Sequence, residues 1–403
     1  MNEPATSEQS DLDLLIAKVT GSLGKEYEDA YYDLSSPNES FFLASMFFLN
    51  ITPKHVNEKG EKRTVKVVVK RPSPFPGVRE MLRSDAQFHN EILFYNQYAR
   101  GHEDLPGCYY TDENPPVKSV IALENIEERG FTLSSWRYNV PMEYTVAAFQ
   151  EMARFHAKGY VMKERSPTEF FDFVENIQET RYDNDPENGF GIITNMVTNR
   201  SIEYLRKHGH NKDFCDKMDV YLSNTYENVV LRCIKAEEPL VTLCHGDFTM
   251  NNIFFKKEGG EIRAMLIDFA LIRYGSPIID LSTFLCLHCA EEIGKDLIDS
   301  GLKAYNDSLI QCLTENGIKN LERFSYEAIC NDYKEKGMFG FAIAAFFLAT
   351  VMGRAEQTIE DMSNMDSIEA AIILRDLGGD EISDILAKML LILQEYGCLD
   401  CAL

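Results

Sequence analysis

Three polar side chains in the second half of the chain are of types that accept protons or bind metal ions. Asp247 lies in the segment His245-Gly246-Asp247, Asn252 follows five residues later, and Asp268 comes after an apolar stretch. Transfer of a phosphoryl group from ATP to a hydroxyl needs a carboxylate that takes the hydroxyl proton and oxygen ligands that hold magnesium on the phosphates. The spacing therefore predicts that Asp247 is the catalytic base and that Asn252 and Asp268 bind Mg²⁺.

A short β-hairpin is predicted to bring these three residues together. Residues 263–267 have the composition of a buried strand, entered from a turn at Glu258-Gly259-Gly260. Asp268 then lies at the end of that strand, and the loop from Asp247 to Asn252 leads into the other strand, so one edge of the hairpin presents all three side chains. An ordinary turn-forming role for the polar side chains is the alternative, because Asp and Asn often hydrogen-bond their own backbone.

His245 is interpreted as a residue that holds the backbone of this loop. A role in proton transfer is the alternative, but Asp247 already supplies a base.

A lysine that binds the ATP phosphates is expected well upstream of this segment. Residues 64–70 are β-branched and alternate at their start, which is typical of a strand, and the strand-breaking Pro72 follows. Lys70 lies at the end of this predicted strand. It is assigned to the α and β phosphates of ATP.

A helix after that strand is predicted to carry the carboxylate that holds Lys70. Ser84 and Gln87 have the spacing of a capping box at its start. Its buried face is predicted from the spacing of Phe88, Ile92 and Tyr95. Glu91 borders that face, and we expect it to form an ion pair with Lys70.

An apolar strand over residues 119–123 is predicted to form the hinge between two lobes. It ends at Glu124-Asn125. Leu123, Glu124 and Asn125 are therefore assigned to the nucleotide site, where backbone groups would bind adenine and aliphatic side chains would enclose the ring.

These motifs and their order resemble the ecdysteroid kinase-like family, also called CHK kinase-like, within the aminoglycoside phosphotransferase and choline kinase group. The segments that carry the resemblance are 67–70, 88–95, 123–126 with 130–131, 152–157, 244–252, and 268–269 with 273–277 and 280–281. The resemblance implies an α+β, bilobal protein-kinase-like fold and ATP-dependent phosphorylation of a hydroxyl on a small molecule. For this family the molecule would be an ecdysteroid or a hydroxylated xenobiotic that is being detoxified.

The chain departs from the family pattern where a turn should cover the phosphates. Residues 40–46 contain no glycine, although glycine lets backbone N–H groups approach a phosphate closely. Two outcomes are open for this stretch: the bulkier residues hold ATP less tightly, or the Ser45 hydroxyl serves this purpose instead. Two alternatives stay open: a nucleotide-binding pseudokinase scaffold, and a kinase for a choline-like or aminoglycoside-like substrate.

The expected organisation is a polar arm and helix over residues 1–35, a β-rich N-lobe over 36–123, and a larger helical C-lobe over 124–403. A hairpin turn is predicted across Asn57 to Gly60 in the N-lobe. The catalytic hairpin occupies residues 243–270. The apolar run from Met338 to Gly353 is shorter than a membrane span and is interpreted as a buried helix.

Composition favours a cytoplasmic enzyme. The net charge is −24, from 40 basic and 64 acidic residues, which argues against nucleic acid or an anionic membrane as a partner. The N-terminal residues lack the pattern of a secretory signal. The ten cysteines are therefore expected to be reduced thiols, and the two CxxC pairs at 286–289 and 398–401 are not assigned to zinc. The sequence leaves the oligomeric state open.

Two further polar residues receive structural interpretations. His156 lies on the apolar stripe of a predicted helix and is expected to be a hydrogen-bonded core residue. Asp280 opens an apolar helix, where it would cap the helix or brace the loop that contains Asp247.

Overall fold

The computed structural model describes residues 7–36, 44–56, 62–355 and 357–400. The chain forms two compact units, residues 1–131 and 132–403. The predicted turn at Asn57 to Gly60 lies outside the described residues, as do residues 40–43 of the predicted phosphate turn and Cys401 of the second CxxC pair.

The N-terminal unit contains a five-stranded antiparallel sheet in the order β1-β2-β3-β5-β4. Its strands are β1 (Tyr31–Ser35), β2 (Ala44–Thr52), β3 (Val65–Pro72), β4 (Cys108–Asp112) and β5 (Val120–Glu124). Its helices are α1 (Ser7–Leu23), α2 (Pro76–Met81) and α3 (Ser84–Leu93), and α3 continues as a π-helical turn over Phe94–Tyr98. Because side chains alternate along a strand, β3 turns Val67 and Val69 into the core and Lys70 onto the opposite face.

Helix α3 shows one difference from the sequence-based expectation. Arg83 is the N-cap, in a left-handed conformation with φ of 51°, and no side chain caps the helix. The predicted capping box is wrong, since Gln87 Nε2 donates instead to the Leu82 carbonyl at 2.6 Å. The predicted apolar face is confirmed, because Phe88, Ile92 and Tyr95 are all buried.

The C-terminal unit is mostly helical and contains two small sheets, β6-β8-β9 and β10-β7. Its strands are β6 (Thr132–Leu133), β7 (Thr242–Cys244), β8 (Ile253–Glu258), β9 (Glu261–Leu266) and β10 (Arg273–Gly275). The helices are α4 (Met142–Arg165), α5 (Pro167–Glu175), α6 (Gly189–Thr198), α7 (Arg200–Lys207), α8 (Lys212–Leu222), α9 (Leu231–Cys233), α10 (Ile278–His288), α11 (Lys295–Glu315), α12 (Tyr326–Lys336), α13 (Met338–Val351), α14 (Ile359–Ser363), α15 (Ser367–Asp376) and α16 (Gly379–Tyr396).

Helices α4, α10 and α13 supply many of the buried side chains of this unit. All of α10 is buried, as expected for a helix that is apolar on nearly every side. The apolar run predicted as a buried helix is α13, which packs against α10. Among the described helices there is none whose length and apolar content would suit it to span a bilayer.

The predicted α+β class is confirmed, with a β-sheet N-terminal unit and a larger helical C-terminal unit.

Candidate active site

The β8–β9 hairpin gathers the three side chains assigned to phosphoryl transfer. Strand β7 leads into the Asp247 loop, which we define as residues 245–252, and the loop runs directly into β8. The Asn252 carbonyl accepts a hydrogen bond from Ile267 N at 3.0 Å. Because Ile267 immediately precedes Asp268, this bond holds Asn252 and Asp268 at the open end of one hairpin.

The amide of Asn252 fixes the position of Asp247. Its Nδ2 donates to Asp247 Oδ2 at 2.8 Å and to the Asp247 carbonyl at 3.0 Å. Since the amide nitrogen is used in these hydrogen bonds, the amide oxygen is the atom that can coordinate a cation. Together with the Asp268 carboxylate it provides hard oxygen ligands, a donor set that fits magnesium.

Asp268 lies in an unusual backbone conformation. Its φ is 64°, a left-handed value that few residues other than glycine adopt and that Asp and Asn tolerate best. This sharp turn ends the hairpin strand and sets the direction of the chain toward β10.

The electrostatics of Asp247 suit a group that can hold a proton. Burial raises the pKa of its carboxyl above the usual range, the positive charge of Arg181 opposes this change, and repulsion from Asp268 adds to it. A bound divalent cation would lower the pKa again by stabilising both carboxylates.

His245 ties the Asp247 loop to the end of the hairpin. The side chain is fully buried. The hydrogen-bond network assigns its proton to Nε2, which donates to the Ile267 carbonyl at 2.9 Å, while Nδ1 accepts from Asp247 N at 3.3 Å. These bonds support its interpretation as a residue that holds the loop backbone.

Asp280 braces the same loop from the first turn of α10. Its carboxylate accepts hydrogen bonds from His245 N and Gly246 N, both at 2.8 Å, and from His156 Nε2 at 3.0 Å. Burial alone would raise the pKa of this carboxyl, but the hydrogen bond from His156 leads the effects that hold it below its ordinary value. Asp280 therefore orients the loop as an ionised acceptor.

His156, Cys244 and Asp280 form the one group of possible metal ligands found among the described residues. Hydrogen bonds already account for all three. His156 Nδ1 is 2.9 Å from the Tyr305 hydroxyl, and the Cys244 thiol donates to the carbonyls of Gly275 and Ser276 at 3.3 and 3.2 Å. We therefore interpret the group as a brace beneath the Asp247 loop.

His288 is a second support that sequence reasoning did not find. Its Nδ1–H donates to the Arg137 carbonyl at 2.6 Å, and its Nε2 accepts from Met250 N at 3.1 Å. Burial lowers its pKa from 6.5 to about 4, so the ring is neutral and can both donate and accept. The only signal in the sequence was its place between Cys286 and Cys289, a pattern that invites a metal interpretation instead.

The predicted pair of Lys70 and Glu91 forms within the N-terminal unit. Lys70 Nζ lies 2.7 Å from Glu91 Oε2, and the side chains are 16% and 2% exposed. The ion pair spans β3 and α3. A carboxylate this deeply buried fixes the ammonium far more firmly than a surface partner would.

The other residues assigned to the nucleotide also lie in the N-terminal unit. Ser45 is half-buried within β2, opposite Arg71 of β3. Leu123 belongs to β5. Glu124 forms an ion pair with Arg129, and the Asn125 side chain caps the following turn by accepting from Glu127 N.

The N–H groups at the predicted hinge are already used within the unit. Glu124 N donates to the Gly107 carbonyl at 2.7 Å and Asn125 N to the Lys66 carbonyl at 3.0 Å. Adenine recognition by this segment stays a prediction. It would have to use a carbonyl or an N–H group other than these two.

A comparison with family models identifies the group to which the chain is related. The model of the ecdysteroid kinase-like family matches residues 40–318, a span that contains every residue assigned above to phosphoryl transfer. The chain belongs to the ecdysteroid kinase-like family. The resemblance noted from the motifs is thus confirmed, and membership in the ecdysteroid kinase-like family supports a small-molecule phosphotransferase.

Solved structures of small-molecule kinases are distantly similar to this member of the ecdysteroid kinase-like family. A Plasmodium vivax ethanolamine kinase is 12% identical with a TM-score of 0.46, over 98% of this chain and 93% of that one. A microcompartment-associated aminopropanol kinase is 12% identical with a TM-score of 0.44, over 96% and 99%. An aminoglycoside-3'-phosphotransferase of type VIII is 14% identical with a TM-score of 0.35, over 79% and 98%. No curated protein sequence matches the chain significantly.

Proposed function

We propose that this protein transfers the γ-phosphoryl group of ATP to a hydroxyl group of a small molecule. The observation that carries the proposal is the hydrogen bond from Asn252 to Asp247 at the open end of the hairpin that also bears Asp268. Membership in the ecdysteroid kinase-like family supports the same reaction class.

Asp247 orients the acceptor hydroxyl and takes its proton. As the bond between the acceptor oxygen and the γ-phosphorus forms, the bond from that phosphorus to the β-phosphate oxygen breaks, and ADP leaves with the electron pair. Asn252 keeps Asp247 in place through its amide nitrogen. A magnesium ion held by Asn252 and Asp268 would neutralise charge on the phosphates.

Residues of the N-terminal unit bind the nucleotide in this proposal. Glu91 fixes the Lys70 ammonium, which neutralises the α and β phosphates. The Ser45 hydroxyl donates to a phosphate oxygen, and the segment from Leu123 to Asn125 receives the adenine. A strand-borne hydroxyl at Ser45 compensates for the absence of glycine in residues 40–46.

The acceptor in this proposal is an ecdysteroid or a hydroxylated xenobiotic, and phosphorylation of the latter would serve detoxification. The name of the family supports this class of acceptor. A cytoplasmic enzyme without nucleic acid or membrane partners agrees with the net charge of −24.

The test is a panel of hydroxylated steroids and xenobiotics incubated with Mg-ATP and analysed by mass spectrometry. We expect at least one acceptor to gain one phosphoryl group with the wild-type protein, and none to gain it with the Asp268→Asn variant. Asp307→Asn is the matched control, because it neutralises an exposed carboxylate on α11. Binding of Mg-ATP without phosphorylation of any panel member would contradict the proposal and favour a nucleotide-binding scaffold.

A further inference from the structure

A short segment before α4 is fixed to the end of α10. We call residues 136–140 the strap. The Val140 N–H donates to the His288 carbonyl at 3.0 Å, and the Arg137 carbonyl accepts from His288 Nδ1 at 2.6 Å. Val140 and His288 are both buried. One buried residue therefore holds the backbone of the strap at both Arg137 and Val140.

The strap also holds the loop that runs into β8. Arg137 Nη1 donates to Asn251 Oδ1 at 2.5 Å. His288, which fixes the strap, accepts a hydrogen bond from Met250 N at 3.1 Å. Two consecutive loop residues are thus held from one place, and Asn252, the residue assigned to magnesium, follows directly after them.

These contacts reach a turn that depends on support from elsewhere in the fold. Residues Met250–Asn252 form a single 3-10 turn, and among the described residues no side chain caps its start. At its end the Asn252 carbonyl accepts from Ile267 N at 3.0 Å. The hairpin therefore fixes the backbone at Asn252, and the strap fixes it at Asn251. Because backbone conformation limits the side-chain rotamers, the two contacts together set the direction of the Asn252 amide.

The partner of the Arg137 guanidinium is a neutral amide. A carboxylate at position 251 would bind the guanidinium more strongly. It would also add a negative charge to a region that already carries Asp247 and Asp268, and like charges that lie close together oppose each other's ionisation. The pair of Arg137 and Asn251 holds the loop without this repulsion.

We propose that Arg137 is a positioning residue, which acts through Asn251 to keep the Asn252 amide oxygen directed at the magnesium site. The inference rests on the proposed phosphotransferase function and adds to it a residue that lies 114 positions from its partner in the sequence. Replacing a residue that orients a metal ligand typically costs about 10-fold to 100-fold in metal affinity or activity. Arg137 and Asn251 are both exposed, so loss of their hydrogen bond should leave the protein folded.

The test isolates the contribution of the metal to nucleotide binding. Dissociation constants of a non-hydrolysable ATP analogue are measured by calorimetry with Mn²⁺ and with EDTA, and their ratio gives the gain in affinity due to the metal. We expect Arg137→Met to reduce this gain by about 10-fold or more and to leave binding in EDTA unchanged. Arg206→Met is the matched control, since it removes an exposed guanidinium from an ion-pair cluster on α7.

A double-mutant cycle tests whether the effect passes through Asn251. Asn251→Ala should reduce the gain as much as Arg137→Met does, and the double variant should reduce it no further, because both substitutions remove the same hydrogen bond. The Mg²⁺ concentration that gives half-maximal ADP release with an acceptor should rise in the same proportion in all three variants. Trp136, the one tryptophan of the chain, lies in the strap, so thermal unfolding followed by its emission confirms that each variant is folded.

Three results would overturn the inference. They are an unchanged gain in folded Arg137→Met, additive losses in the double variant, and no gain from Mn²⁺ in the wild-type protein. Additive losses would mean that the guanidinium acts on the phosphates through its own charge. Because the binding measurements use an analogue that is not turned over, failure of the proposed function is recognised separately, by the absence of phosphoryl transfer to every acceptor tested.

Discussion

The substitution Gly246→Ala tests whether the Asp247 loop depends on close backbone packing. Gly246 has φ of 80°, and a Cβ atom there would lie 1.9 Å from the Leu271 carbonyl oxygen. That oxygen belongs to the backbone, so no side-chain rotation can relieve the contact. The loop must move away from the residues that follow Asp268.

Two terms contribute to the expected loss of stability. A left-handed conformation costs a residue with a Cβ about 1 to 2 kcal/mol, and forcing an extra methyl group into a packed site costs about 1 to 3 kcal/mol more. Displacement of the Gly246 N–H also weakens its hydrogen bond to Asp280. Because Asp247 is the next residue, a shift of about 1 Å is expected to lower turnover by about 100-fold.

Gly209→Ala is the matched control for this experiment. Gly209 has φ of 76°, but a Cβ atom there meets nothing within 4 Å. Urea unfolding should show that Gly209→Ala loses only the free energy that the left-handed conformation costs, whereas Gly246→Ala also loses the free energy that the steric contact costs. The rate of ADP release with an acceptor should fall only in Gly246→Ala. Equal stability of the two variants, together with wild-type turnover by Gly246→Ala, would refute the reasoning.

Three more predictions concern the groups that support the site. Lys70→Met should abolish the thermal stabilisation by Mg-ATP, whereas Lys66→Met, which removes an exposed ion pair on the same strand, should preserve it; equal shifts would contradict the assignment. Asp280→Asn should lower kcat. It should also lower the free energy of unfolding by about 1 to 3 kcal/mol, since an amide cannot accept all three hydrogen bonds. An unchanged kcat would contradict the role of Asp280 in orienting the Asp247 loop. His288 has a pKa lowered from 6.5 to about 4, so the unfolded chain binds a proton at this residue more readily than the folded chain does. The free energy of unfolding should therefore fall by about 3 kcal/mol as the pH drops from about 6.5 to about 4. Urea unfolding at several pH values should show a shallower dependence in His288→Gln, and identical curves would contradict this.

Local patterns in the sequence were sufficient to predict the hairpin and the lysine pair. Asn252 and Asp268 flank two strands joined by a short turn, so their proximity follows from hairpin geometry alone. The pairing of Lys70 with Glu91 required two periodicities to be combined, alternation along the strand and the i, i+4, i+7 pattern of the helix.

Features that depend on tertiary packing were not predictable in this way. Arg181 lies in an irregular segment between α5 and α6. Its backbone N–H donates to Glu179, which pairs with Arg273, a residue distant in the sequence. The capping box at Ser84 failed because Arg83 adopts the left-handed conformation that begins the helix. His288 carries no local signal of its contact with Met250, since that contact exists only once α10 packs beneath the loop.

The most direct test of the account is the rate of phosphoryl transfer by Asp247→Asn. The amide keeps the size of the side chain but cannot take the acceptor proton. With an acceptor identified from the panel and saturating Mg-ATP, we expect kcat to fall by about 100-fold to 10,000-fold, with Asp307→Asn at the wild-type rate. Transfer by a folded Asp247→Asn variant at the wild-type rate would contradict the assignment of Asp247 as the catalytic base.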